Sequence, residues 1–316
     1  MRIIFAGTPE FAARHLEIIL ESEHEIVCAL TQPDRKSGRG KKLRSSPVRQ
    51  LAEKEKIQLL QPKSLNSIEV IKDLETFKPD LMLVVAYGLL IPKNILDVPS
   101  LGCINVHASI LPRWRGASPM EYSILNGDKK VGVSYMQMSE GLDEGPIYEI
   151  HDCDLNPKDK LEDVEEMLID LSKTNLNKFL DKISNKEINH TKQDQAKVTI
   201  APKIDKSILR LDWQKDSSIE VVRKINAFGA KYGTYTFLGE KRIKLHQAKD
   251  YKAEESFPPG TIKLYEDEMV IFCGGNSSIL VEKIQMEGKN KVSGKDFVFG
   301  YLELINKYKY FSSPNQ

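Results

Sequence analysis

Three polar residues stand where chemistry could be done. Asn105 and His107 lie in "INVHASILPRWRG" (104–116), inside what otherwise reads as a buried strand, and Asp143 lies in "SEGLDEGPI" (139–147). On a strand, residues i and i+2 share a face. Cys103, Asn105 and His107 therefore point one way and Ile104, Val106 and Ala108 the other, with the two polar tips roughly 7 Å apart at the backbone. A lone strand histidine is usually a satisfied core residue, but an amide beside it on one face needs a further partner. A reacting carbonyl oxygen is one such partner. Asp143, between Gly141 and Gly145 and before Pro146, must sit on a tight loop. An Asx-turn carboxylate is the plain structural reading. The chemical reading pairs it with His107, where a carboxylate orients an imidazole and favours its charged form, with Glu144 as a substitute. Amide, imidazole and carboxylate together suit direct transfer of an acyl-type carbon to an external amine. Asn and protonated His would hold the oxyanion, and the His–Asp pair would manage the amine's proton.

Other chemistries lack their signatures. No Ser or Cys stands in a nucleophile elbow, and there is no HExxH, GxGxxG or Walker-type motif. Gly7, Thr8 and Pro9, between the first strand and helix, read equally as a ligand loop or a tight turn. Cys28, Cys103, Cys153 and Cys273 are scattered without ligand spacing, which argues against structural zinc and a disulfide framework. No metal is expected.

The elements that must position these residues follow from hydrophobic pattern. Strands are expected at 2–7, 25–32, 57–62, 80–87, 101–109, 131–138 and 146–155. They alternate with helices at 10–22, 46–56, 67–77, 120–127 and 160–183. Ser46 and Pro47 form a helix start. Near-continuous apolar strands between helices predict a doubly wound, mostly parallel, Rossmann-like α/β domain over 1–183, with ligands beyond the carboxyl ends of its strands. Residues 184–206 are polar and amide-rich and read as a linker. From 207 to 316 a helix near 218–228 precedes short strand-like runs with glycine turns, which predicts a small, OB-like β-barrel.

Of the 316 residues, 41% are hydrophobic and 29% charged, a globular composition. No apolar run approaches the roughly 20 residues that span a bilayer, and the opening apolar run is too short for a secretory signal. A cytoplasmic protein without membrane contact is expected, and a monomer. The net charge of +1 hides a contrast: residues 32–49, "QPDRKSGRGKKLRSSPVR", hold seven Lys/Arg against one Asp. Most charge runs are solvated faces, yet this one carries Gly38 and Gly40 between Pro33 and Pro47, as an arm reaching for phosphates would.

Four motifs, "FAGTPEFA", "TQPDRKSGRGKKLRSSPVR", "NVHASILPRWRGASPM" and "GLDEGPI", followed by "APKIDK", "RLDW" and "RKINAF", resemble the methionyl-tRNA formyltransferase family over nearly the whole chain. The resemblance implies transfer of a formyl group from 10-formyltetrahydrofolate to the methionine amino group of initiator methionyl-tRNA, in translation initiation. It implies catalytic roles for Asn105, His107 and Asp143, and folate contact by Ser109, Ile110, Leu111 and Pro112. It also implies a tRNA-binding loop at 34–49, with Arg35, Lys36, Arg39, Lys41, Lys42 and Arg44, in which Arg39 senses the weak end of the acceptor stem. The C-terminal barrel would contact the tRNA as well. The chain departs from the family at Trp114, commonly Tyr, at Glu144, often small or Thr, and at "AFGAKYGTY" (227–235), usually built around Asn-Pro-Trp-Pro-Gly. Formyl transfer to a small amine, hydrolysis of the formyl donor, and RNA binding without catalysis are the rival readings.

A basic loop gains discrimination only where a stem end is already open, since melting a closed pair costs a few kcal/mol. Arg39→Ala is therefore expected to lower discrimination between initiator and elongator tRNA more than Lys42→Ala does, in a comparison of formylation rates on both tRNAs. Equal losses in the two variants would contradict this.

Overall fold

The computed structural model describes residues 1–37, 42–229 and 231–313, less the side chains of Lys36, Ser37 and Lys42. The first elements are β1 (Arg2–Gly7), α1 (Glu10–Leu20), β2 (Glu25–Leu30), β3 (Arg35–Ser37), β4 (Lys42–Arg44), α2 (Pro47–Lys54), β5 (Leu59–Leu60), α3 (Ile68–Thr76) and β6 (Leu81–Val85). Then come α4 (Lys93–Leu96), β7 (Cys103–His107), β8 (Arg115–Gly116), α5 (Pro119–Asn126), β9 (Lys130–Gln137), β10 (Ile147–Asp154), α6 (Leu161–Ser184) and β11 (Ile200–Ala201). The remainder holds α7 (Ser218–Phe228), β12 (Thr234–Leu238), β13 (Lys241–Tyr251), β14 (Ile262–Tyr265), β15 (Glu268–Cys273), β16 (Ser277–Met286), β17 (Lys291–Val292), α8 (Gly294–Gly300) and α9 (Leu302–Tyr308). The chain divides into two compact units. One comprises Met1–Pro119, Lys130–Asp154 and Val164–Pro202; the other comprises Met120–Lys129, Leu155–Asp163 and the chain from Lys203 on.

In the first unit the described residues form a sheet of order β10-β9-β7-β6-β1-β2-β5. The run from β5 to β7 is parallel, and β9 and β10 are antiparallel. The central strands are apolar throughout because both faces are covered. On one face Ile4, Ala6, Leu30, Met82 and Val84 pack with Leu74 and Ile95 from the covering helices. Ser46 caps α2 by accepting from the Arg49 amide, with Pro47 at the first helical position. Gly7 is required by close packing rather than by a ligand: a Cβ there would lie 2.6 Å from Ala12 Cβ and 2.9 Å from the Val85 carbonyl oxygen. Within the basic segment, β3 pairs antiparallel with β4. One of its cations is already committed, because Arg49 binds Asp34 and Glu53, each at 2.7 Å.

The second unit carries an antiparallel sheet of order β12-β13-β16-β15-β14, with β17 on β16. Residues 310–312 bridge its two edges: Tyr310 pairs with Thr261 and Ser312 with Phe237. This bridging links the two edge strands and draws the sheet round into the expected small barrel. Trp213, Phe297 and Phe311 are fully buried inside, and Trp213 Nε1 donates to Thr236 Oγ1 at 2.9 Å. In the atypical 227–235 stretch, Lys231 Nζ lies 3.0 Å from the carboxylate of the buried Glu121. Burial opposes the ammonium charge there, but Glu121 outweighs it and raises the Lys231 pKa.

His15, on α1, is completely buried. Its Nδ1–H donates to the Phe11 carbonyl at 2.7 Å and its Nε2 accepts from Ser172 Oγ of α6 at 2.8 Å. Both bonds belong to the neutral ring, and burial lowers its pKa to about 4. Between about pH 4 and 6.5 the unfolded chain thus binds a proton that the folded chain refuses, so stability falls as pH drops through that window. The full contribution is roughly 3 kcal/mol. In urea unfolding of the first unit, His15→Gln is expected to flatten the loss between pH 6.5 and 4; an unchanged slope would assign the pH sensitivity elsewhere.

Candidate active site

The site is built on β7 and on two loops that reach it. Asn105 pairs with Val84 and Met136 across the sheet, and His107 pairs with Ser134. After β7 the chain turns through Ser109, Ile110, Leu111 and Pro112, with a cis peptide before Pro112. Ser134 pins this turn: its hydroxyl donates to the Ser109 carbonyl at 2.7 Å and accepts from the Leu111 amide at 3.1 Å. Ser109 and Leu111 are buried, while Ile110 and Pro112 remain half-buried. The Arg113 guanidinium stacks 4.2 Å from the centre of the Trp114 ring.

Trp114 has φ of 63°, left-handed backbone that a bulky residue seldom adopts. The conformation turns its carbonyl to accept from His107 Nε2 at 2.9 Å, while its amide donates to Thr199 Oγ1 at 2.9 Å. A carbonyl only accepts, so Nε2 carries a hydrogen and Nδ1 is the nitrogen left to exchange a proton. Nδ1 lies 3.7 Å from Asp143 Oδ2, close but beyond hydrogen-bond length.

Asp143 arrives on the β9–β10 loop, also with positive φ, 47°, which a short polar side chain tolerates. Its Oδ2 accepts from the Gly116 amide at 2.8 Å and its Oδ1 from Asn105 Nδ2 at 3.3 Å. The three candidate catalytic residues therefore converge around one carboxylate that is 15% exposed. Glu144, the substitute, forms none of these contacts among the described residues. Nearby, the carboxyl ends of three parallel strands are laced together. Thr8 Oγ1 donates to the Tyr87 carbonyl at 2.9 Å, and Gln32 Nε2 donates to the same oxygen at 2.8 Å.

Several site residues were not found by sequence reasoning. Ser134, a polar residue inside an apolar strand, left a signal. Thr199 and the buried Gln193 left none, since they lie in the stretch expected as a linker; 200–201 even pairs with β8 there. Of the residues expected to bind tRNA, Arg35 and Arg44 face each other across the β3–β4 pair and are exposed. Arg39 and Lys41, and the side chains of Lys36 and Lys42, lie outside the described residues. No group of three or more His, Cys, Asp or Glu among the described residues is placed to hold a metal ion, and no described helix is long and apolar enough to cross a membrane.

A doubly wound domain with this polar cluster, followed by a small barrel, defines a class: enzymes that transfer a formyl group. Residues 1–180 match the formyl transferase family and residues 203–302 match its C-terminal domain. The methionyl-tRNA formyltransferase of Nitrosomonas eutropha is 40% identical over 301 residues, 95% of this chain and 95% of that protein. The enzyme of the same description from Legionella pneumophila strain Paris is 38% identical over 298 residues, 94% of this chain and 95% of that protein. The chain belongs to the formyl transferase family, among the methionyl-tRNA formyltransferases. Among solved structures, the fold is shared with an N-formyltransferase from Helicobacter canadensis in complex with folinic acid and dTDP-3-aminofucose. That likeness has a TM-score of 0.64 and 17% identity, over 90% of this chain and 99% of that one. A methionyl-tRNA formyltransferase from Clostridium thermocellum matches with a TM-score of 0.55 and 20% identity, over 81% of this chain and 95% of that one.

The loop carrying Asp143 turns on two glycines of different kinds. A Cβ on Gly145 would collide with the backbone carbonyl of Gln137, which cannot move aside, whereas one on Gly141 would meet only the mobile carboxylate end of Glu144. Gly145→Ala is expected to destabilise the first unit by about 1–3 kcal/mol in thermal unfolding, and Gly141→Ala by well under that. Equal costs would show that the loop has room to shift.

Proposed function

We propose that this chain transfers the formyl group of 10-formyltetrahydrofolate to the amino group of methionine on initiator methionyl-tRNA, the formylation used in translation initiation. The observation that carries the reading is similarity through both units, at 38–40% identity over 94–96% of the chain, to methionyl-tRNA formyltransferases. A small amine has no need of the basic segment at 34–49.

In this reading the methionine nitrogen attacks the formyl carbon and the carbonyl electron pair moves onto oxygen. The intermediate then collapses by breaking the carbon–N10 bond. The attacking nitrogen gives up one proton and N10 gains one. Asn105, one of whose amide hydrogens goes to Asp143, has a second to offer the oxyanion. His107, held through Nε2 by Trp114, takes the amine's proton at Nδ1 when that nitrogen is bare, and the Nδ1–H so formed is then offered to the same oxygen or passed to N10. Asp143 keeps the amide and imidazole aimed together and balances the imidazolium. Ile110 and Pro112, half-buried on the pinned turn, would meet the folate, with Ser109 and Leu111 fixing the turn beneath them. Arg35, Lys36, Arg39, Lys41, Lys42 and Arg44 would hold the acceptor arm, their lysines on phosphates.

Formyl transfer measured with and without charged initiator tRNA, in the wild type and His107→Ala, tests the reading. Transfer is expected to require the charged tRNA and to fall by about 10²–10⁴ in the variant. Turnover of the donor without tRNA, or onto a small amine, would overturn it.

A further inference from the structure

We infer that Gln193 is a positioning residue for the transfer, acting through Asp143. The inference rests on the function proposed above and concerns a residue far along the chain from all three candidate catalytic groups. Gln193 is buried, 8% exposed. Its Nε2 donates to two carbonyls of the Asp143 loop, that of Asp143 itself at 2.8 Å and that of Gly145 at 2.7 Å. Both amide hydrogens are thereby spent on the backbone that carries the carboxylate. Its Oε1 accepts from Arg115 Nε at 2.9 Å, and Arg115 is itself buried, 5% exposed.

The consequence follows from what Arg115 is joined to. It directly precedes Gly116, whose amide holds Asp143 Oδ2, and directly follows Trp114, whose carbonyl holds His107. Gln193 thus ties the backbone behind Asp143 to the strand that grips the front of the same side chain, making a closed ring of bonds around the carboxylate. The stretch continues in the same role. Thr199 takes the Trp114 amide through its hydroxyl and the Arg115 amide, at 2.9 Å, through its carbonyl. A Cβ on Gly116 would lie 2.6 Å from the Ala201 carbonyl oxygen, so β11 seats against β8 only over a glycine. Residues 193–201 form a strap that holds Trp114 and Arg115 through their amides, the two residues whose backbone runs between the Trp114 carbonyl on His107 and the Gly116 amide on Asp143.

A glutamine suits this position for a stated reason. Two carbonyls and a guanidinium call for two donors and one acceptor on a single planar group, and among uncharged side chains of this length the primary amide supplies both. Glutamate would keep the Arg115 contact but present lone pairs to both loop carbonyls, so Gln193→Glu separates anchoring from positioning.

The test is a double-mutant cycle on formyl transfer to charged initiator tRNA, read as single-turnover rates with Gln193→Glu, Asp143→Asn and the double variant. Gln193→Glu is expected to lower the rate constant at least tenfold, with KM for donor and tRNA within threefold and the melting temperature within a few degrees. In the Asp143→Asn background the same change should cost less than twofold, because the group it positions is gone. Arg115→Lys, which slackens the grip on Gln193, should give a smaller loss of the same kind and keeps the test open if Gln193→Glu folds poorly. An unaltered rate in both variants, a loss carried by KM, or the same fold-loss in both backgrounds would overturn the inference. A wild type that transfers no formyl group would instead overturn the proposed function.

Discussion

The hydrogen bond from the Gly116 amide to Asp143 Oδ2 is the constraint on which the site depends. It is a charge-assisted bond from a rigid backbone donor to a mostly buried carboxylate, at 2.8 Å. It fixes one oxygen, leaving Oδ1 for Asn105 and the flank of the carboxylate for His107 Nδ1. Without it, a short side chain on a loop between two glycines would have no reason to meet a strand 38 residues earlier. The left-handed backbone at Trp114 and at Asp143 follows from the same demand, since each peptide must turn to present an atom to the cluster. Such conformations are held by surrounding bonds, and here those bonds come from Thr199 and Gln193.

How much of this was legible depended on the range of the interaction. Helix α2 was readable because Ser46 and Pro47 act on neighbouring residues. The face shared by Asn105 and His107 was readable because strand alternation is local. The sheet followed from apolar runs that need cover on both sides. The meeting of His107 and Asp143 was not determined by any of these, and rested on resemblance until the distances were seen. The role of 184–206 was the least legible. "SNKEINHTKQDQAKVTIAPKIDK" is polar because its residues make specific hydrogen bonds, and composition cannot distinguish a glutamine that braces a loop from one that faces water. Residues as far as Pro202 belong to the first compact unit.

The basic segment teaches the opposite lesson. Its seven cations against one aspartate read as a single charged arm, yet Arg49 is paired with Asp34 and Glu53 while the cap at Ser46 starts a helix beneath it. A residue within a charge run can be part of the scaffold. In the second unit, the "AFGAKYGTY" stretch is anchored through the ion pair of Lys231 with the buried Glu121.

The central claim is that one carboxylate gathers the cluster, and hydrogen exchange at Gly116 tests it most directly. The amide should exchange slowly in the wild type and at least tenfold faster in Asp143→Ala. The Arg115 amide, which donates to the Thr199 carbonyl, should stay protected in both. A Gly116 amide that exchanges equally fast in the two proteins would contradict the account, because the carboxylate would then not be what protects that amide.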